Sequence, residues 1–185
     1  MHYLYENPSI KRSLVEEVKG FSEPLNPDEL KAAPILNAVM AETWRLHPPA
    51  DSHVVAAATD LEYKGYKIRK GVNVVSDILL TSLTDEERYL DPLEFRIERW
   101  LPKDHPLHDP KYYLEDVDYN TMSSKFRAFN SGPHMCLGGY FARLEARIVM
   151  TRLLQNYDFV VRNSKVVYAP VHQYTNEFKL LKKKQ

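Results

Sequence analysis

A chain of 185 residues is long enough to bury one core of its own. Its 25 Lys+Arg balance 25 Asp+Glu, which excludes a long-range field that would attract nucleic acid, and its 44% hydrophobic residues exclude disorder throughout. A single cysteine excludes an internal disulfide and a zinc site built on thiolates, no apolar run reaches membrane-spanning length, and the N-terminus lacks the succession of a signal peptide.

Residues His2–Lys19 read as a helix on the stripe Leu4, Ile10, Leu14 and Val18; Pro8 sets its first turn apart and Gly20 stops it. A turn-rich connection over 21–27 leads to a second helical region, Asp28–Leu46, which Pro34 suits as a first helical position. Glu42 and Arg45 are three apart and share a face there; on propensity alone they read as a surface ion pair worth a few tenths of about 1 kcal/mol. The run His47-Pro48-Pro49 ends the helix.

Residues 50–75 read as extended chain, with Leu61–Tyr63 and Tyr66–Ile68 forming a hairpin around Lys64-Gly65, and Val72–Val75 a further strand. Ser76–Tyr89 fits a short helix restarted at Thr84, where Thr-Asp-Glu-Glu resembles a cap followed by acids. Residues Leu101–Thr121 have no clean period and read as a long surface loop. His105 and His108 read as solvated loop histidines rather than metal ligands, and the tyrosines there as packing.

The stretch Phe129-Asn130-Ser131-Gly132-Pro133-His134-Met135-Cys136-Leu137-Gly138-Gly139 is a tight loop around the only cysteine. It runs into a helical segment, Tyr140–Asn156, whose amide end favours an anionic sulfur. Leu144, Ile148, Val149, Met150, Leu153 and Leu154 form its apolar stripe, interleaved with Arg143, Arg147 and Arg152. Tyr157–Val161 reads as a strand, 165–171 with 177–181 as a terminal sheet pair or loop, and the lysine tail as solvated. One thiolate suits a haem iron, because the porphyrin supplies four in-plane donors.

Phe129, Gly132, Cys136 and Gly138 meet the haem-binding loop pattern of the cytochrome P450 family, which the chain resembles, with His134 filling the family's arginine position. Two further runs, in the right order, extend the resemblance. Ala41-Glu42-Thr43-Trp44-Arg45-Leu46-His47-Pro48-Pro49 is similar to the family's Glu-x-x-Arg helix. Asp91 to Trp100 is similar to its Pro-x-x-Phe and Pro-Glu-Arg-Phe/Trp segment, except that Ile97 stands in place of the second proline.

The resemblance implies a mainly α fold with small β elements, the C-terminal, haem-proximal part of the P450 fold, as one partial domain over 1–185. Its parts are a helical region over 1–46, a small β region over 50–75, a meander and loop over 91–121, the cysteine loop and following helix over 129–156, and a β region over 157–185. It implies haem b with Cys136 as axial thiolate and metal ligand, Phe129 shielding the sulfur, Gly138 admitting backbone close to it and His134 at a propionate. The segment after Pro49 is expected to meet substrate and a propionate; Val55 stands at the family's usual arginine position there, with His53 two residues earlier. Arg99 is expected to join Glu42 and Arg45 in a structural network.

The implied function is that of a haem-thiolate oxidoreductase inserting oxygen into an organic substrate. The distal helix with its Ala/Gly-Gly-x-Asp/Glu-Thr motif is expected to precede Met1, so no catalytic residue is assigned and monooxygenation by this chain alone is not expected. Two alternatives stand beside it: a non-catalytic fragment or interaction module that needs a partner chain, and a peroxide-using or rearranging haem-thiolate enzyme. The implied partners are a redox partner, an N-terminal half or a second copy over the distal side, and a small apolar organic substrate; no nucleic acid is expected. The chain reads as soluble and cytoplasmic by default, with an anchor in a longer parent left open.

Overall fold

The computed structural model describes residues 1–115, 126–167 and 173–183. Proline opens three of the first four helices: α1 is His2–Glu6, α2 Pro8–Lys19, α3 Pro27–Ala32 and α4 Pro34–Leu46. Its missing N–H costs nothing at a position whose amide has no intrahelical acceptor. Pro8 separates α1 from α2 as the sequence suggests. Pro34 does more than open a helix, because it also forces Ala33 out of the helical region, so Asp28–Leu46 is two helices rather than one.

The caps differ in kind. Asn26 Oδ1 accepts from the Asp28 N–H at 2.9 Å and caps α3 from within. Ala33 can offer α4 no such oxygen. Its place is taken by Glu17 of α2, whose carboxylate accepts from the N–H groups of Ile35 at 2.9 Å and Leu36 at 2.8 Å.

Helix α4 is the centre of the fold, with ten of its residues buried. Leu14 and Val18 of α2, Leu30 of α3, Ile97, Leu101, Phe126, Phe129, and Leu154 and Phe159 further on close around its Ile35, Leu36, Ala38, Val39 and Met40. Among the described residues the β content is three separate two-stranded antiparallel sheets. Strand β1 (Ser52–Ala56) pairs with β4 (Asn73–Asp77), β2 (Leu61–Tyr63) with β3 (Tyr66–Ile68), and β5 (Tyr157–Val167) with β6 (Gln173–Lys182). Residues 168–171 of the expected terminal pair, and 116–121 of the expected long loop, lie outside the described residues. No described helix is long and apolar enough to cross a membrane.

Further expectations change. Helix α5 spans Ile78–Thr84, capped by Asp77 Oδ1 accepting from Leu80 N–H at 2.7 Å. No second helix starts at Thr84: Asp85 Oδ1 accepts from Arg88 N–H at 3.1 Å and closes a turn instead. His105 and His108 lie in local turns of the loop, each half-buried, with His108 meeting Tyr113 edge-on at 4.9 Å.

The largest change concerns helix α6, Gly139–Asn156. Arg143, Arg147, Thr151 and Leu154 face the core, while Ile148 and Val149 of the expected apolar stripe are exposed. The arginines can go inside because they find partners there. Arg147 Nε donates to Asn37 Oδ1 at 2.8 Å, and the Arg143 guanidinium lies over the rings of Phe129 and Phe126 at 5.0 and 5.7 Å.

Candidate thiolate site

The cysteine loop is built by backbone geometry. A 3₁₀ turn over Arg127–Phe129 ends at Asn130, whose φ of +61° reverses the chain; Gly132, at φ +64°, starts a second 3₁₀ turn through His134. A left-handed residue is costly for most side chains and free for glycine, which is the local reason for Gly132. The Cys136 N–H then donates back to the Phe129 carbonyl at 2.9 Å, closing the loop, and the Gly139 N–H donates to the Cys136 carbonyl at 3.1 Å, leading into α6.

Cys136 is a free, exposed thiol at the head of this 18-residue helix. A Cβ at Gly138 would lie 3.9 Å from its sulfur, in ordinary contact, so the sulfur rests beside bare backbone without forcing a glycine there. Phe129 is buried, its ring edge-on to Trp44 of α4 at 4.9 Å, with Arg143 on it. Among the residues that follow the cysteine in the chain, Leu137 is 96% exposed, and Tyr140 and Phe141 are exposed as well.

His134, exposed at the end of the second 3₁₀ turn, and His53, half-buried on β1, come together with ring centroids 5.3 Å apart. Strand β1 and the cysteine loop thus meet at two imidazoles, a pairing that a separation of 81 positions hides from the sequence. Val55 lies half-buried on the same strand.

Glu42, Arg45 and Arg99 also converge, and all three are buried. Arg45 forks onto Glu42, Nε to Oε2 and Nη2 to Oε1 at 2.8 Å each, and Arg99 Nε reaches Oε1 at 3.2 Å. Complete burial overrules the surface-pair reading of Glu42 and Arg45. Sequence reasoning missed the other donors: Trp100 Nε1 gives to Oε2 at 2.8 Å and the Arg96 N–H to Oε1 at 2.9 Å.

The second guanidinium leaves excess positive charge, and carbonyls absorb it. Arg45 donates to those of Pro92 at 2.7 Å, Ser82 at 2.8 Å and Glu94 at 3.2 Å, and Arg99 to that of Asp91 at 2.9 Å. Burial pushes the Arg99 guanidinium below its ordinary range; Glu42 pulls it back and the charge of Arg45 lowers it further. From this network Trp44, one residue before Arg45, carries the position of α4 to Phe129 and the cysteine loop.

What metal chemistry suits this donor set can be judged directly. Among the described residues no three His, Cys, Asp or Glu side chains gather where a metal ion could be held. A lone accessible sulfur therefore fits a metal that brings its other donors with it, and haem iron does.

A family model described as Cytochrome P450 matches residues 1–182. Among curated proteins, the chain is similar to the Cytochrome P450 monooxygenase BOA3 of Botryotinia fuckeliana (strain B05.10), 33% identical over 159 residues, 84% of this chain and 30% of that protein. It is also similar to the Alkane hydroxylase MAH1 of Arabidopsis thaliana, 30% identical over 170 residues, 90% of this chain and 31% of that protein. It spans just under a third of the length of these relatives.

Among solved structures, retinoic acid bound cyanobacterial CYP120A1 superposes with a TM-score of 0.77 at 27% identity, over 97% of this chain and 40% of that one. The cytochrome P450DA heme domain matches with a TM-score of 0.78 at 20% identity, over 99% of this chain and 39% of that one, a likeness of fold alone. With a family match that runs almost from end to end and a fold shared with solved members, the chain belongs to the cytochrome P450 family.

Proposed function

We propose that these residues are the C-terminal, haem-proximal portion of a haem-thiolate oxidoreductase, with haem b held through Cys136. The observation that carries this reading is the exposed Cys136 sulfur on a loop closed by the Cys136 to Phe129 backbone bond and set at the head of α6. When bound, haem supplies oxygen-activating redox chemistry, which an electron-rich thiolate promotes.

The chain's own part is to hold, orient and shield. Cys136 gives the thiolate, and Phe129, fixed between Trp44 and Arg143, closes the protein side of the loop. Gly138 keeps the space beside the sulfur free of a side chain. His134 and His53 are hydrogen-bond donors for the carboxylate edge of the macrocycle, each giving fewer contacts than an arginine fork would.

The 185 residues contain no Ala/Gly-Gly-x-Asp/Glu-Thr run. The pocket that holds oxygen and delivers protons is accordingly assigned to other residues, in a longer chain or a partner chain, and electrons to a redox partner. The chain's similarity to an alkane hydroxylase and to a retinoic acid bound protein supports a small apolar organic substrate that receives oxygen.

The test is spectroscopic. Haem titrated into the protein and reduced under carbon monoxide is expected to give a strongly red-shifted Soret band, absent in Cys136→Ala and Cys136→Ser. A parent spectrum typical of histidine ligation, unchanged by Cys136→Ala, would overturn the assignment.

A further inference from the structure

Tyr3 on α1 and His47 at the end of α4 form a pair that the thiolate site does not include. The Tyr3 hydroxyl lies 2.6 Å from His47 Nε2, and the two rings stack with centroids 5.6 Å apart. Phe95 stacks on the same Tyr3 ring, close to parallel, at 4.4 Å. Both members of the pair are half-buried.

A phenol facing an imidazole can do what a phenol facing a carbonyl cannot. On losing one electron a phenol becomes a strong acid and sheds its proton; a neutral imidazole is a base able to hold that proton at neutral pH. With the ring proton on Nδ1, the Tyr3 O–H donates to a bare Nε2, the atom that would receive it. His47 also follows the last turn of α4, its N–H donating to the Thr43 carbonyl at 2.8 Å. An imidazolium formed there sits at the negative end of a 13-residue helix, which stabilises it.

A line of contacts joins this pair to the cysteine loop. Tyr3 and Trp44 share the wall of one cavity of about 140 Å³ with the polarizable side chains of Met40 and Met150. Trp44 meets Phe129 edge-on at 4.9 Å, and the Phe129 carbonyl accepts from the Cys136 N–H. We propose that Tyr3 is a one-electron donor to the thiolate site by way of Trp44, with His47 taking its proton. One electron leaves the Tyr3 ring and reduces a one-electron oxidant at that site, while the phenol O–H bond breaks and an N–H bond forms at His47 Nε2. A neutral tyrosyl radical and an imidazolium remain. The inference rests on the proposed haem-thiolate function for the source of the oxidant, and it gives the chain a route for discharging that site when no substrate does so.

A bond that only tied α1 to the end of α4 would be served equally by a carbonyl or an amide in place of the imidazole, and would have no use for an oxidisable indole beside it. Tyr112 shows the contrast. Its hydroxyl also meets a base, donating to Asp91 Oδ2 at 3.0 Å, but the Arg96 and Arg99 guanidiniums lie 4.8 and 5.6 Å from its ring centroid. Cations on the ring oppose the removal of an electron from it.

The experiment puts a known oxidant at the sulfur. Cys136, the only thiol, is alkylated with a ruthenium polypyridyl iodoacetamide in the 185-residue chain carrying Tyr140→Phe, which removes the tyrosine nearest the label in sequence. A light flash in the presence of hexaammineruthenium(III) as quencher leaves the label one electron oxidised. A neutral tyrosyl radical is expected by absorption and by electron paramagnetic resonance, forming more slowly in heavy water. Tyr3→Phe, which keeps the ring that stacks on Phe95, is expected to abolish the signal. Trp44→Phe is expected to slow its formation, and His47→Phe to lower its yield and remove the heavy-water effect. Tyr66→Phe, exposed on β3, leaves it unchanged. A signal undiminished in Tyr3→Phe would overturn the proposal, as would a Tyr3 radical that forms equally fast in His47→Phe. High-field resonance reads the parent without any change at the pair: a radical spectrum lacking the shift caused by a hydrogen bond from imidazolium would also overturn it. The label occupies the sulfur and no haem is added, so a failed haem titration leaves this test intact, and a failure here leaves the haem assignment standing.

Discussion

Glu42 accepts five hydrogen bonds from four residues, and two of those residues are buried guanidiniums. Removing its charge strands both cations in the interior. Glu42→Gln is expected to cost about 3–5 kcal/mol in urea unfolding, since breaking a buried pair leaves an uncompensated ion. A loss under about 1 kcal/mol would mean that the pair behaves as a surface one. The i,i+3 spacing of Glu42 and Arg45 was legible in the sequence, and the ordered landmark around Arg99 pointed to their meeting. Trp100 was not legible as a donor, nor were the Ser82, Pro92 and Glu94 carbonyls as acceptors, because tertiary packing alone places main-chain groups. The same holds for the meeting of His53 and His134.

At the scale of elements, the cap of α4 shows why local reading has a horizon. Ala33 offers no side-chain oxygen, and the acceptor, Glu17, is 18 residues away from Ile35 on another helix. Burial pushes the Glu17 carboxyl up from its ordinary range, and the two amides draw it partly back. Glu17→Ala is expected to lower stability by about 0.5–2 kcal/mol, the range for a lost cap, and to reduce amide protection at Ile35 and Leu36 in hydrogen exchange. Unchanged protection would mean that α4 needs no donor-satisfying partner. Helix α6 was misread for a different reason: a periodic count scores arginine as a surface residue, whereas Arg143 and Arg147 bury their stems beside rings and an amide.

Strand β5 is tied to α2 by Lys11, whose ammonium is 2.5 Å from Asp158 Oδ1 and 4.1 Å from the Phe159 ring centroid. Hydrogen bonding to Lys11 holds the Asp158 carboxyl below its usual range, helped by the Phe159 N–H. A folded-state value below the unfolded one means stability that is present above the unfolded value and lost as pH falls through the folded one. Asp158→Asn is therefore expected to lower the melting temperature at pH 7 and to have progressively less effect below about pH 4. The pair is partly exposed, so the loss is at most about 1 kcal/mol and shrinks with salt. An equal deficit at pH 7 and pH 3 would assign the effect to packing rather than charge.

For the molecule as a whole, three ordered landmarks sufficed to name the family, because each marks a place where chemistry tolerates few residue types. Layer arrangement was less legible: the strands were expected, but their division into three two-stranded sheets depends on which edges meet. The 185 residues alone are expected to show no reductase-driven hydroxylation coupled to NAD(P)H consumption. Coupled turnover of about 1 per second or more would sink this assignment of the oxygen side to other residues.

The exposed Cys136 has a practical corollary. It is the chain's only sulfhydryl, so every maleimide adduct must form at that one position. A mass spectrum after brief labelling then becomes an occupancy gauge, counting the molecules whose sulfur is free against those whose sulfur is coordinated. Added haem is expected to suppress the adduct in proportion to its loading, and the His53 and His134 variants to set how quickly protection is lost on dilution.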